Sequence, residues 1–272
     1  MRFERGSERP TDIRTMYGFS VRLAAQTASF REPSAHLYQR TYPMPPISAI
    51  AGIAGAACGL EFSVVWEYLR KNNIYVGVSG NGKGIAIDLW GYNKIVTPDS
   101  KEEKACTEKM NLEKALRPAI LNREFLAYPV FTLYYASEHR DSIYNIASAF
   151  KNPKYAISLG NSDDIAVIKS VSEVCEVGAT ETKSLKNTLI EGDFTKEIVF
   201  DWDALSSTSA SKTLKAPAVA NLIVDFEFKG LRRDPKAYKK FTFLFEEHLL
   251  RSPHQAYSFS DGDASLYCIG KE

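Results

Sequence analysis

The chain is poor in the residues that most often carry chemistry. Its 272 residues include four cysteines, Cys58, Cys106, Cys175 and Cys268, and four histidines, His36, His139, His248 and His254. The cysteines are far apart and no CxxC occurs, so the closely spaced ligand pairs that zinc requires are missing. Four scattered thiols suit a reducing cytosol. No two histidines stand at HxxxH or HxH spacing, and no metal or cofactor is expected. Long apolar runs are absent as well. The most apolar stretch, Ile47 to Leu60, covers 14 residues and is full of Gly and Ala, whereas a membrane span needs about 20 residues. The opening MRFERGSERPTDIRT is charged and lacks an apolar centre, which argues against a secretory signal. These absences lead us to expect a soluble, cytoplasmic protein with no membrane partner.

Net charge is also nearly absent, at +1, but its distribution is uneven. Residues 1–60 hold seven Arg, no Lys and four acids; residues 161–210 hold ten acids and four Lys; residues 229–251 hold seven basic residues and three acids. Separate basic and acidic faces suit a protein that meets both a polyanion and basic partners, although such blocks are often only solvated surface.

Composition, with 44% hydrophobic and 25% charged residues, is that of a globular protein. Residues 1–15 read as a flexible extension. From Met16, the alternation of Tyr17, Phe19, Val21 and Leu23 with small or polar residues predicts a half-buried strand. Residues 24–46 carry Pro33, Pro43, Pro45 and Pro46, which predicts an ordered loop, and loops of this length are usually functional or disordered. A helix opens at Pro46-Ile47-Ser48. Gly52, Gly55 and Gly59 lie in or at the end of it, and each interior glycine costs about 1 kcal/mol relative to Ala, so another backbone should pack closely there. A second helix is expected over Glu61 to Lys71.

Strands follow at Ile74–Ser79 and Ile85–Trp90, and Asn81-Gly82 between them predicts a hairpin. Residues 92–122 are polar, with a helical piece near Glu102 to Leu116. Further expectations are a strand over Phe125–Tyr135, a helix over Arg140–Lys151 and, after a polar turn, a strand over Ile165–Val177. This is a β-α-β-β-α-β order with an insertion, the plan of ferredoxin-like and RNA-recognition folds. Beyond residue 178 a smaller, mostly β region is expected, with strands at Ala220–Phe228 and Lys240–Leu250 and a C-terminal hairpin turning at Asp261-Gly262. The fold class is therefore α+β.

Three motifs invite a chemical reading. Gly77 to Gly84 nearly spells a P-loop, but Gly84 stands where Ser or Thr would hold magnesium, and a strand pattern follows in place of a helix. The adjacent acids Asp163-Asp164 sit in a turn, where carboxylates are usually solvated. In the proline-rich loop, aromatic and basic residues interleave as Phe30-Arg31 and Tyr38-Gln39-Arg40-Thr41-Tyr42. Single-stranded RNA is held by such parts, aromatic faces stacking bases and Arg forks binding phosphates; ordinary loop packing would give the same pattern. His36 beside Tyr42 would also allow acid–base cleavage of a phosphodiester.

Three stretches carry a family resemblance. The first runs from Phe30-Arg31-x-Pro33 through Arg40-Thr41-Tyr42-Pro43-Met44-Pro45-Pro46-Ile47-Ser48 to Ala57-Cys58-Gly59. The second is Asn122-Arg123-Glu124-Phe125-Leu126, followed by Tyr134-Tyr135. The third is Leu159-Gly160-Asn161-Ser162-Asp163. In this order and spacing the chain resembles the fifth CRISPR-associated protein family of the RAMP superfamily, found in type I effector complexes (Cascade), and is most similar in look to type I-B or a related subtype. The C-terminal third agrees only in general character.

The resemblance implies an RNA-recognition-like domain over 16–178, with a thumb inserted at about 80–123, and a β-rich region over 179–272. It implies a non-catalytic subunit that grips the 5′ handle of the guide RNA (crRNA), contacts the backbone and large subunits, and meets target DNA indirectly. The RNA contacts expected are Phe30, Arg31, Arg40, Tyr42, Ser48, Lys83, Arg123 and Asn161, with Ser48 capping the first helix. The alternative is a metal-independent endoribonuclease that processes precursor crRNA. Type I-C members do this with a Tyr, Lys and His set. Tyr42 falls near that tyrosine, but the chain has no adjacent Lys-His pair and no His between residues 37 and 138.

Overall fold

The computed structural model describes residues 15–35, 38–110, 114–199, 216–230 and 232–270. The expected extension over 1–15 lies outside them except for Thr15. The strands β1 (Met16–Ala25), β2 (Thr27–Ala28), β3 (Phe30–Arg31) and β4 (Thr41–Tyr42) lead to the helices α1 (Ile47–Cys58) and α2 (Phe62–Lys71). Next come β5 (Tyr75–Asn81), β6 (Gly84–Val96), α3 (Lys101–Lys109), β7 (Ala115–Ala127), β8 (Val130–Ser137) and α4 (Arg140–Lys151). The remainder is β: β9 (Ala166–Val171), β10 (Cys175–Lys186), β11 (Leu189–Glu191), β12 (Ile198–Val199), β13 (Ala218–Lys229), β14 (Arg232–Phe243), β15 (Glu247–Phe259), β16 (Gly262–Ala264) and β17 (Tyr267–Cys268).

A nine-stranded sheet organises the molecule, in the order β12-β15-β10-β1-β8-β5-β17, with β9 also pairing β1 and β16 pairing β15. The alternation along β1 places Phe19, Val21 and Leu23 wholly inside. Phe19 stacks on Tyr135 at 5.3 Å and meets Phe150 of α4 at 6.0 Å. The Tyr135 hydroxyl donates to the Ile50 carbonyl of α1 at 3.0 Å, tying helix to sheet. The small residues at the end of α1 let a second backbone approach, as expected: the Lys154 and Tyr155 amides donate to the Ala57 and Ala56 carbonyls at 3.0 and 3.2 Å. Past Gly59 the chain turns sharply, and α2 leaves at 106° to α1. Among the described residues, no single helix is long and apolar enough to cross a membrane.

Four expectations are corrected. Asn81-Gly82 is not a hairpin turn, because β5 pairs with β8 and β17 while β6 pairs with β7. The chain instead stays paired with β8 through Asn81 and leaves the main sheet after it, just past Gly80, whose φ is +129° and where a side chain would strike the Val130 carbonyl. The strand expected over Phe125–Tyr135 is two strands, broken at Tyr128, whose φ is +46°. The strand over Ile165–Val177 is also two, β9 and β10, lying end to end along β1. They part where the Ser172 hydroxyl accepts the Ser20 amide at 2.9 Å and interrupts the ladder. Likewise Lys240–Leu250 spans the end of β14 and the start of β15, with Glu246 at φ +62° between them.

Residue 178, where the sequence changes character, falls inside β10. Leu222, Val224, Phe226, Phe241 and Phe243 of the C-terminal third join the same buried cluster as Phe19 and Leu23. Within the Thr180–Lys215 stretch, residues 200–215 lie outside the described ones.

Candidate nucleic-acid interface

The N-terminus of α1 opens into a groove of about 490 Å³. Its floor is one face of the helix, Ala49, Gly52, Ile53 and Ala56, whose mostly small side chains leave the groove deep. Pro46 precedes the first turn, no side chain caps that turn, and it contains no acid. The free N–H groups and the helix dipole therefore face the groove with net positive character. Ser48 lines it from within the first turn. The expected cap is thereby corrected: Pro46 occupies the cap position, and Ser48 is already helical.

One wall is the turn after Leu159. Gly160 has φ +115°, and any side chain there would overlap the Ser29 carbonyl. The close approach is held by Asp164, which is buried rather than solvated as its turn position had suggested. Its carboxylate accepts the Thr27 hydroxyl at 2.6 Å, the Ser29 hydroxyl, and the Asn161 amide at 3.3 Å. Asn161 Nδ2 donates to Ser29 Oγ at 2.8 Å, which sets its side chain at the groove beside β3. Asp164 was missed as an organiser of the site; the adjacent hydroxyl residues Thr27 and Ser29, far away in sequence, were the only signal.

The expected contact residues do not all converge. Arg31, Ser48, Asn161 and Phe30 border the groove, but the Phe30 ring is buried edge-on to Phe131 at 5.9 Å. Tyr42 is likewise buried and stacks on Phe243 at 5.8 Å. Both rings are thus packed in the core in this structure, where neither is set out as a stacking platform. Burial pushes the Tyr42 phenol up to about 12, away from the range of a neutral-pH general acid or base. Its proposed partner His36 lies outside the described residues.

Arg123 is corrected too. Its side chain is 11% exposed, bonded to Asp88 at 3.2 Å and Asp163 at 3.1 Å, and set over the Trp90 ring at 5.1 Å. Two carboxylates already engage it, which leaves it less available to a phosphate than an unpaired arginine. Lys83 lies elsewhere, over the Tyr128 ring at 5.0 Å and lining a separate groove with Pro43, Ile85 and Phe245. Arg40 stands out in solvent, 62% exposed and 3.7 Å from Glu32, a separation at which an exposed pair contributes little. Its segment is fixed to β7 by the Gln39 and Glu124 amides, which exchange bonds with the Asn122 and Gln39 carbonyls at 2.9 and 2.8 Å. The near P-loop is excluded, because β6 follows it where a helix would be needed. Among the described residues, no cluster of three or more His, Cys, Asp or Glu is placed to hold a metal.

Fold and groove together define a mixed α+β protein, mostly β, with an uncapped helix end and basic side chains at one open site. The sequence profile of the family described as CRISPR-associated protein (Cas_Cas5) matches residues 19–230, and the chain belongs to that family. Among solved structures, a chain of a "CRISPR RNA-guided surveillance complex" is 17% identical, with 86% of this chain and 91% of that one covered and a TM-score of 0.49. A CRISPR protein from Archaeoglobus fulgidus is 9% identical, with 93% and 99% covered and a TM-score of 0.48. A further "Cas protein" is 20% identical, with 54% and 58% covered and a TM-score of 0.34. No match was found among curated proteins.

Proposed function

We propose that this chain is a non-catalytic, guide-RNA-binding subunit of a type I Cascade complex. It holds the 5′ handle of the crRNA in the α1 groove, contacts the backbone and large subunits, and meets target DNA only through the guide. Membership of the family supports the setting. The observation that carries the reading is the meeting of Arg31, Ser48, Asn161 and the uncapped N-terminus of α1 in one groove. Free N–H groups at a helix end, a guanidinium, a hydroxyl and an amide are the donors that an RNA backbone accepts from.

In the same reading, β1, α1, β5, β8, α4 and β9 form a ferredoxin-like core over 16–178, supported by the antiparallel neighbour order β9-β1-β8-β5. The β6–β7 hairpin with α3 is the inserted thumb, beginning after residue 80. Residues 179–272 are a smaller β region that shares the core.

Binding of handle RNA from the protein's own repeat tests the function. Arg31→Ala and Arg40→Ala should each weaken binding across sequences and lower its salt dependence. Unchanged affinity and unchanged salt slope in both would remove the proposed surface. Incubation with the full repeat RNA, with and without EDTA, tests the catalytic alternative. Specific cleavage lost on Tyr42→Phe would replace the non-catalytic reading.

A further inference from the structure

The groove has a second arginine, from a part of the chain beyond the residues that the family profile matches. Arg233 stands on β14, opposite Phe228 of β13, and residue 233 lies past the matched span of 19–230. The register puts Arg233 on the same face of the β13–β14 hairpin as Phe226 and Phe228, the face turned toward α1 and α2. Its guanidinium lies over the Phe62 ring of α2, 4.5 Å from the centroid. Phe62 is itself fixed, stacked on Trp66 at 5.7 Å and edge-on to Phe226 at 5.2 Å. Among the described residues, neither Arg31 nor Arg233 has an acidic partner, and both line the same groove. By contrast Arg232, its chain neighbour, is paired with Asp234 at 2.7 Å and does not line it.

We propose that Arg233 is an RNA-phosphate contact, so that the C-terminal hairpin supplies one jaw of the binding groove and Arg31 on β3 the other. This rests on the reading of the groove as the guide-RNA site. A guanidinium held over an aromatic ring has no carboxylate taking up its N–H groups and loses little further freedom on binding. The ring therefore holds the charge ready without neutralising it, which a carboxylate partner would do. Between the two arginines the α1 N-terminus adds its dipole, while Ile53, Ile223 and Phe226 give the groove an apolar end suited to a base or ribose. A volume of about 490 Å³ is within the range of small-molecule sites, about 300–1,000 Å³, and suits a short piece of the RNA rather than a duplex.

The test is fluorescence anisotropy of labelled handle RNA with the full chain, over a range of salt. Arg233→Ala should weaken binding about tenfold, as expected of a lost charge-assisted contact. It should also reduce the slope of log K against log salt by about 0.7, the value for one phosphate on a single strand. Arg233→Lys should keep the slope, and Phe62→Leu, which removes the positioning ring but no charge, should weaken binding while keeping it too. Circular dichroism of each variant checks that it is folded. If Arg31→Ala weakens binding and Arg233→Ala does not, the Arg233 jaw is wrong and the groove reading stands. If Arg233→Ala weakens binding with an unchanged slope, its role is structural and the proposal fails. If neither arginine matters, the groove reading fails and takes the proposal with it.

Discussion

Two long hairpins in this molecule have similar sequence patterns and opposite fates. Their first strands, β6 and β13, both carry large apolar residues at alternate positions, Ile85, Ile87 and Leu89 in one and Leu222, Val224 and Phe226 in the other. In β13–β14 the apolar face is inside: Leu222, Val224 and Phe226 are 1, 6 and 9% exposed. In β6–β7 the equivalent face is bare, with Ile87, Leu89 and Ile120 at 63, 69 and 71%. Only the root of β6–β7 is anchored, through Leu126 in the core, and its other face is covered by polar contacts. There Arg117 pairs with Glu103 at 2.5 Å and with Asp99, fastening α3 to β7. The lesson is that alternation gives a hairpin two faces but does not say what will cover them. β13–β14 closes the groove because α1 and α2 lie beneath it; β6–β7 stands apart because the chain leaves the main sheet after Asn81.

Substitutions in the two hairpins should have very different costs. The largest effect is expected in the buried hairpin. Phe226→Ala should cost about 3 kcal/mol, the low end for a large aromatic truncated in a core, read by urea unfolding followed by circular dichroism. A loss below about 1 kcal/mol would mean that β13–β14 is not packed on the helices. On the facing wall of the groove, Gly160→Ala should cost about 2 kcal/mol or more, since its backbone conformation strains any other residue and its side chain would also meet the Ser29 carbonyl. Handle-RNA affinity should fall with it, because Asn161 would be displaced.

In the exposed hairpin, Ile87→Lys and Leu89→Lys should each leave unfolding free energy within about 0.5 kcal/mol of the parent, as for other surface changes. A large loss would show that this face is covered after all. The smallest effect concerns α3. Its bonds to Arg117 and to the Asp99 amide draw the Glu103 carboxyl down to about 2. A folded-state value below the unfolded one means that the stabilisation is complete above the ordinary glutamate range, near pH 4.5, and fades as pH falls toward 2. An NMR titration of the Glu103 carboxyl carbon should find the low midpoint, and Arg117→Ala should move it up toward the ordinary range.

Much of the framework was legible in local pattern. The helices over 47–58, 62–71 and 140–151 follow from apolar spacing, and the Gly/Ala composition of α1 rightly foretold a close backbone. The errors cluster where one residue with positive φ, or one side chain in the ladder, breaks a strand that pattern alone would continue, as at Tyr128, Ser172 and Glu246. At the candidate site, Arg31, Ser48 and Asn161 were legible as a cationic, hydrogen-bonding set. The aromatic half was misjudged, because Phe30 and Tyr42 are sequence neighbours of arginines but spatial neighbours of Phe131 and Phe243.

Most element types, the family, and the basic, proline-stiffened loop feeding a small-residue helix are written in the chain itself, since these depend on residues close together in it. Which charges are available is settled by the fold. Arg123 is engaged by Asp88 and Asp163, Asp164 is buried as the clasp of the glycine turn, and Arg233 reaches the groove from roughly two hundred residues beyond Arg31. Whether a charge is free depends on what stands within a few ångströms of it, and electrostatic attraction falls with distance in space rather than along the chain.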